Sequence, residues 1–104
     1  MPDPKATVAE IVTFRLAAGA DPAAFLTAAA AVEPMLRAGG DVIARTLSCD
    51  DDGLWTDHIT WTSMEAAKAT AEKIMGDPIA APMMQMIDPD GVQMRHAPIQ
   101  YQQE

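Results

Sequence analysis

The sequence predicts a single α+β domain in which strands and helices follow one another in the order β-α-β-β-α-β. Three observations support this prediction. Four segments are rich in β-branched and aromatic residues, two stretches repeat apolar or alanine residues at helical spacing, and Gly and Pro residues separate these segments. A chain of 104 residues can form one hydrophobic core, so we expect one domain over residues 1–104.

The first half of the chain predicts a strand, a helix and a second strand. Val, Ile and Phe are frequent over 8–16, which indicates the first strand. A helix then begins at Asp21-Pro22, an N-cap residue followed by a residue suited to the first helical position. Pro34 should kink or split this helix, because proline removes a backbone hydrogen bond. The second strand covers 42–49.

The second half predicts a strand, a helix and a last strand. An Asp-Gly dipeptide, which is typical of hairpins, precedes the third strand over 54–62. A second helix covers 64–76 after a serine N-cap, and a short helical or irregular piece follows over 77–86. The fourth strand covers 92–97, and Pro98 restricts it to a sheet edge or end.

This order of elements is the ferredoxin-like arrangement, a four-stranded antiparallel sheet with two helices on one face. Alternation along the first strand places Val12 and Phe14 on one face, and Ala9 and Ile11 on the other. Because both faces are apolar, something other than water should cover the second one. An identical sheet from a second subunit would do so, and we therefore expect a homodimer.

Composition excludes several classes of partner. Seven basic against 15 acidic residues give a net charge of -8, which disfavours nucleic acid and anionic membranes. Cys49 is the only cysteine, so no intrachain disulfide can form, as in a reducing cytoplasm. Residues 1–5 carry no apolar leader, and no apolar run approaches the ~18 residues of a transmembrane helix. We expect a cytoplasmic protein that binds neither nucleic acid nor membrane.

Two residues are candidates for acid–base catalysis. His96 carries a side chain that exchanges protons near neutral pH, although a partly buried structural histidine is the alternative. Asp57 lies between two tryptophans on one strand face, where a carboxylate can act as a base or polar anchor. Its alternative role is a structural hydrogen bond to a backbone amide or to an arginine such as Arg45 or Arg95.

The candidates for ligand binding lie on that strand face, on the first strand or in the methionine-rich segment after the second helix. Aromatic rings can stack on a flat ligand, and methionine adapts to apolar ligands, whereas the alternative for these residues is ordinary core packing. The candidates are Trp61, Trp55, Ile59, Glu10, Phe14, Met83 and Met86. The two histidines have no further ligand at metal-binding spacing, and no phosphate-binding glycine loop is present, so we expect no metal and no cofactor.

The segment from Trp55 to Ala67 resembles a known family. A strand that ends in Trp-x-Ser-x-Glu-Ala and leads into a helix is similar to the dimeric α+β barrel superfamily, and above all to antibiotic-biosynthesis-monooxygenase-like domains. The resemblance implies a homodimer whose two sheets form a barrel, with one pocket per subunit between the sheet and its helices. It places Trp61 in the pocket and His58 at the dimer interface.

The same resemblance implies a mixed set of functions. Members include monooxygenases that oxidise polycyclic phenols without a cofactor, and haem-degrading enzymes with a histidine on the second helix. This chain has no histidine between Ser63 and Asp88, so haem degradation is not expected. Three functions stay open: binding of a small apolar or aromatic molecule, which we favour; cofactor-free oxidation of a phenolic or polyketide-like substrate by O2; and dimerisation without a ligand. The sequence leaves open whether the chain is an enzyme.

Overall fold

The structure, a computed structural model, describes residues 7–103, so the N-terminal residues 1–5 used above and Glu104 lie outside it. Its strands are β1 (Val8–Phe14), β2 (Val42–Cys49), β3 (Trp55–Trp61) and β4 (Gln93–Pro98). They form one antiparallel sheet with the spatial order β2-β3-β1-β4. The predicted ferredoxin-like fold is therefore confirmed, and β4 lies at an edge as Pro98 requires.

The helices begin and end close to the residues that the sequence marks. They are α1 (Pro22–Ala30), α2 (Glu33–Ala38), α3 (Met64–Gly76) and α4 (Ala81–Gln85), with a 3-10 turn at Pro78–Ala80 before α4. The Asp21 carboxylate accepts a hydrogen bond from the Ala24 backbone N–H at 3.3 Å. The Ser63 hydroxyl accepts one from the Ala66 N–H at 3.1 Å. Pro34 lies in the first turn of α2, so the predicted first helix is split in two.

The first strand is shorter than predicted. It ends at Phe14, and Leu16 forms only an isolated bridge with Ile87. The Arg15 carbonyl accepts a hydrogen bond from the Asp88 N–H at 2.9 Å. Beyond Phe14 the chain thus pairs with the segment after α4, which brings that segment against one end of the sheet.

The hydrophobic core lies between the helices and one face of the sheet. It consists of buried aromatic and aliphatic residues from both layers, among them Phe14, Phe25, Val32, Leu36, Ile59 and Trp61. The opposite face carries Ile11, Thr13, Thr56 and His58, all of them half-buried. Glu10, Asp57 and His96 alternate with these residues and belong to the face that packs against the helices.

Candidate functional site

A cavity of about 370 Å³ lies between the sheet and the helices. All four strands contribute to its wall, through Glu10, Arg45, Asp57, Ile59, Trp61 and Met94. The helices contribute apolar side chains, among them Phe25, Val32, Leu36 and Ile74. Most of the lining is therefore apolar, with three charged side chains on the sheet side.

Arg45 and Asp57 form a two-pronged ion pair on this wall. Arg45 Nε donates to Asp57 Oδ1 at 3.0 Å, and Nη2 donates to Oδ2 at 2.8 Å. Nη1 donates to the Ala29 carbonyl at 2.9 Å, which ties β2 to α1. Both side chains are largely buried, at 15% and 13% exposed. Since both oxygens of Asp57 are bound to Arg45, this geometry favours a structural role for the carboxylate over that of a base.

Glu10 and His96 form a second pair. They lie directly opposite one another on β1 and β4, and Glu10 Oε1 is 2.9 Å from His96 Nε2. The Glu10 side chain is 8% exposed and borders the cavity, whereas His96 contacts Glu10 from behind and does not line the cavity. The histidine predicted as a base therefore reaches the cavity only through the glutamate.

Trp61 carries an unpaired hydrogen-bond donor. The residue lines the cavity and is 1% exposed, and its indole Nε1 has no hydrogen-bond partner within residues 7–103. Buried polar groups in native proteins are nearly always paired, and leaving one unpaired costs ~1–3 kcal/mol. The atom has almost no accessible surface, so an acceptor on a bound molecule would remove that cost only after a neighbouring side chain moves.

The structure brings most of the predicted ligand-binding residues together. Five of these candidates line the cavity: Glu10, Phe14, Ile59, Trp61 and Met83. The predicted base Asp57 lines it too. Alternation along β1 and β3 accounts for this grouping, because it places all of these strand residues on the face that meets the helices.

Two predicted ligand-binding residues lie outside the lining. Trp55 packs against Phe14, with ring centroids 6.4 Å apart and nearly parallel, and against the edge of Phe25 at 5.0 Å. These contacts enclose Trp55 in the core beside the cavity. Met86 follows α4 and packs against the same core, while its carbonyl accepts a hydrogen bond from the Ala17 N–H at 2.8 Å. That backbone contact joins Met86 to the loop after β1.

The rim of the cavity was predicted only in part, since Met75 and Met84 belong to the methionine-rich region interpreted as a lining, whereas Val92 and Met94 were not among the candidates. Four of its lining residues are large, apolar and exposed: Met75 at 77%, Met94 at 54%, Met84 at 44% and Val92 at 41%. Val92 and Met94 share the strand face of His96, so alternation along β4 was the available signal. Their exposure could not be predicted from alternation, which gives the face of the strand but not the side chains that cover it.

A shallower hollow of about 350 Å³ lies between α1, α2 and the edge strand β2. Three charged residues line it: Arg45, which binds Asp57, and Glu33 and Arg37, which bind each other on the exposed surface of α2 at 2.6 Å. No group of three or more His, Cys, Asp or Glu residues within the described chain is placed to hold a metal ion. None of the helices described has the length and apolar character needed to cross a membrane.

Comparison with known proteins shows the fold. No family model and no curated protein sequence matches the chain. Among solved structures, a mutant of SnoaB from Streptomyces nogalater, described as a cofactor-independent oxygenase, has a TM-score of 0.74 at 14% identity and covers 92% of this chain and 95% of its own. A protein from Bordetella bronchiseptica, described as a candidate antibiotic biosynthesis monooxygenase, has a TM-score of 0.74 at 13% identity, covering 88% and 95%.

A third similar structure is Rv0793 from Mycobacterium tuberculosis, with a TM-score of 0.65 at 21% identity over 91% of this chain and 97% of its own. All three similarities extend over most of both chains, so they concern the whole fold rather than one motif. The chain therefore has the fold of the antibiotic-biosynthesis-monooxygenase-like proteins, as its Trp-x-Ser-x-Glu-Ala segment predicts.

Proposed function

We propose that the chain binds a small apolar or aromatic molecule in the cavity between its sheet and its helices. The observation that supports this most directly is the cavity itself, whose lining is mostly apolar and includes Trp61. The indole N–H of Trp61 is unpaired within residues 7–103 but has almost no accessible surface, so an acceptor atom of the ligand, such as a carbonyl oxygen, would pair it once a neighbouring side chain moves.

The dimensions and lining of the cavity fit this proposal. Pockets for small molecules usually measure ~300–1,000 Å³ and combine apolar walls with a few polar groups. The volume of about 370 Å³ lies at the lower end of that range and suits a molecule of two or three fused rings. Exposed methionines at the rim add a flexible apolar entrance, since methionine adapts its shape at low cost.

We include a homodimer in the proposal. The sheet face that points away from the helices carries half-buried Ile11 and His58 beside half-buried threonines, and a second copy of this face would cover it by two-fold symmetry. The resemblance to dimeric α+β barrels implies the same arrangement. Each subunit would then keep its own cavity on the helix side of the sheet.

A second candidate function is cofactor-free oxidation of a phenolic or polyketide-like substrate. The Glu10–His96 pair at the cavity wall favours it, because it couples a carboxylate to an imidazole beside the bound molecule. SnoaB, whose fold is similar, is described as a cofactor-independent oxygenase. The pair would remove a proton from an electron-rich substrate, and the carbanion would reduce O2. In the balanced reaction, a methylene group of the substrate and one molecule of O2 give a carbonyl group and one molecule of water.

Native mass spectrometry of the freshly purified chain, followed by solvent extraction, tests the binding proposal. We expect a dimer that carries a co-purified lipophilic compound in each subunit. A dimer without extra mass, which also fails to bind added naphthalene derivatives, would contradict it and leave dimerisation alone. A monomer would contradict the proposed homodimer.

Oxygen uptake in the presence of 1,8-dihydroxyanthrone tests the second candidate. We expect uptake by the unmodified chain, and loss of uptake in His96→Ala, which should remain folded although its melting temperature falls because the largely buried Glu10 loses a hydrogen-bond partner. Unfolding of that variant would assign His96 a structural role instead. Absence of uptake by the unmodified chain would count against the oxidation of this substrate class.

A further inference from the structure

We propose that Glu10 determines which ligands the cavity accepts, by accepting a hydrogen bond from a hydroxyl or amino group of the bound molecule. His96 acts as a positioning residue that holds the Glu10 carboxylate. This inference rests on the proposed function, and it adds a requirement for the ligand: besides an apolar body, it must carry a hydrogen-bond donor.

Three charged side chains within the described chain line the cavity: Glu10, Arg45 and Asp57. Arg45 binds both oxygens of Asp57, and its remaining nitrogen Nη1 donates to the Ala29 carbonyl. Each oxygen of Asp57 and each nitrogen of Arg45 thus already has a protein partner. Glu10 is the charged group whose hydrogen-bonding capacity is left to the ligand.

The two oxygens of Glu10 differ in their partners. Oε1 is bound to His96 Nε2 at 2.9 Å, and Oε2 makes no hydrogen bond within residues 7–103. Because Glu10 lines the cavity, Oε2 is the oxygen that is left for a donor atom of a ligand. An ionised carboxylate forms hydrogen bonds about twice as strong as neutral ones.

His96 holds the other oxygen of Glu10, Oε1. It lies on the edge strand β4 directly opposite Glu10, and its side chain is 18% exposed against 8% for Glu10. By donating its Nε2–H to Oε1, the imidazole fixes the carboxylate on the β4 side, which leaves Oε2 for the cavity. His96 does not line the cavity, so it acts on the ligand only through Glu10.

This arrangement discriminates between ligands that share a ring system but differ in a hydrogen-bond donor. The hydroxyl group of one ligand donates a hydrogen bond to Oε2. The methyl ether of the same ligand has no donor, so it excludes water from the carboxylate without replacing the hydrogen bond that is lost. Sites built around a buried polar group reject analogues that leave the group unpaired. We expect a preference of about tenfold or more for the hydroxyl compound.

Calorimetric titration of the full chain with 1-naphthol and with 1-methoxynaphthalene tests the role of Glu10. The unmodified chain should prefer 1-naphthol. Glu10→Gln should remove most of the preference, because its amide oxygen accepts from His96 and the remaining NH2 group is a donor that both probes can accept from. Glu10→Leu should abolish the preference, and the Gln variant answers the question if the Leu variant does not fold. Glu72→Gln, an exposed change on α3 away from the cavity, should leave the preference intact.

Two variants of His96 test its positioning role with the same probes. His96→Gln keeps an N–H donor for Oε1 and should largely retain the preference. His96→Leu should lose most of it while its affinity for 1-methoxynaphthalene stays the same, whereas a purely structural role would lower both affinities equally.

Three results would overturn this inference. Equal binding of both probes by the unmodified chain, or a preference that persists in Glu10→Leu, would refute the role of Glu10 while leaving the proposed binding function standing. Binding of neither probe would contradict the binding function for this class of molecule, and the inference with it.

Discussion

Trp55 and Trp61 lie on the same strand and the same sheet face, yet the structure uses them differently. Both are buried, at 7% and 1% exposed. Trp55 packs between two phenylalanine rings, with centroid distances of 6.4 and 5.0 Å. Trp61 borders the cavity, and its indole N–H is unpaired within the described residues. One tryptophan holds the core together, and the other offers a polar group beside the cavity.

The cross-strand neighbours explain the difference. Trp55 lies opposite Phe14 on β1, whereas Trp61 lies between Val8 on β1 and Val42 on β2. Phe14 stacks on Trp55, whereas neither cross-strand neighbour of Trp61 is aromatic. Alternation thus identifies the face on which a residue lies, but not the side chains that enclose it there.

The largest expected effect is the loss of stability on replacing Trp55. Trp55→Ala should lower the free energy of unfolding by ~3–5 kcal/mol, as is usual for a large aromatic residue enclosed in the core. Trp61→Ala should cost at least ~1 kcal/mol less, because one side of Trp61 borders a cavity and fewer contacts are lost. Urea unfolding of both variants measures the difference. An equal loss of unfolding free energy in the two variants would mean that Trp61 is an ordinary core residue, like Trp55.

Local features of the fold could be predicted from the sequence, whereas contacts between strands could not. Hydrophobic pattern, caps and Pro34 predicted every strand and the split helix to within about two residues, since these signals act locally. The partner of Asp57 could not be chosen between Arg45 and Arg95, because the choice depends on strand order and register. In the sheet Arg95 lies opposite Ile11 on the other face, while Arg45 shares the face of Asp57.

The candidate site was predictable to a similar degree. Alternation placed Glu10, Ile59 and Trp61 on one face, and the structure brings them to one cavity. It also placed Trp55 there, because periodicity alone does not show which neighbour encloses a residue. The Glu10–His96 contact joins residues 86 positions apart in the chain, so it follows from the β1–β4 pairing and not from any local motif.

A smaller effect is expected when only the donor of Trp61 is removed. Trp61→Phe should change the free energy of unfolding by less than ~1 kcal/mol, because the lost ring volume is offset by removal of an unpaired buried N–H. Its affinity for 1-naphthaldehyde, which carries an acceptor, should fall about 2- to 10-fold, while its affinity for naphthalene should stay the same. Calorimetric titration measures both affinities, and Trp55→Phe is the matched control that should change neither. An equal loss for both probes would show that Trp61 contributes shape and not a hydrogen bond.

The smallest expected effect is a chemical shift change at one indole. In a ¹H–¹⁵N correlation spectrum the two tryptophans give two indole N–H signals, which Trp55→Phe and Trp61→Phe assign by deleting one each. Adding 1-naphthaldehyde should move the Trp61 proton downfield, as a new hydrogen bond does, and leave the Trp55 proton nearly in place. Naphthalene should not produce that downfield shift, because it offers no acceptor atom. A downfield shift of the Trp55 signal instead would place the ligand at the aromatic end of the sheet, and would reverse the roles that the packing of the two side chains assigns.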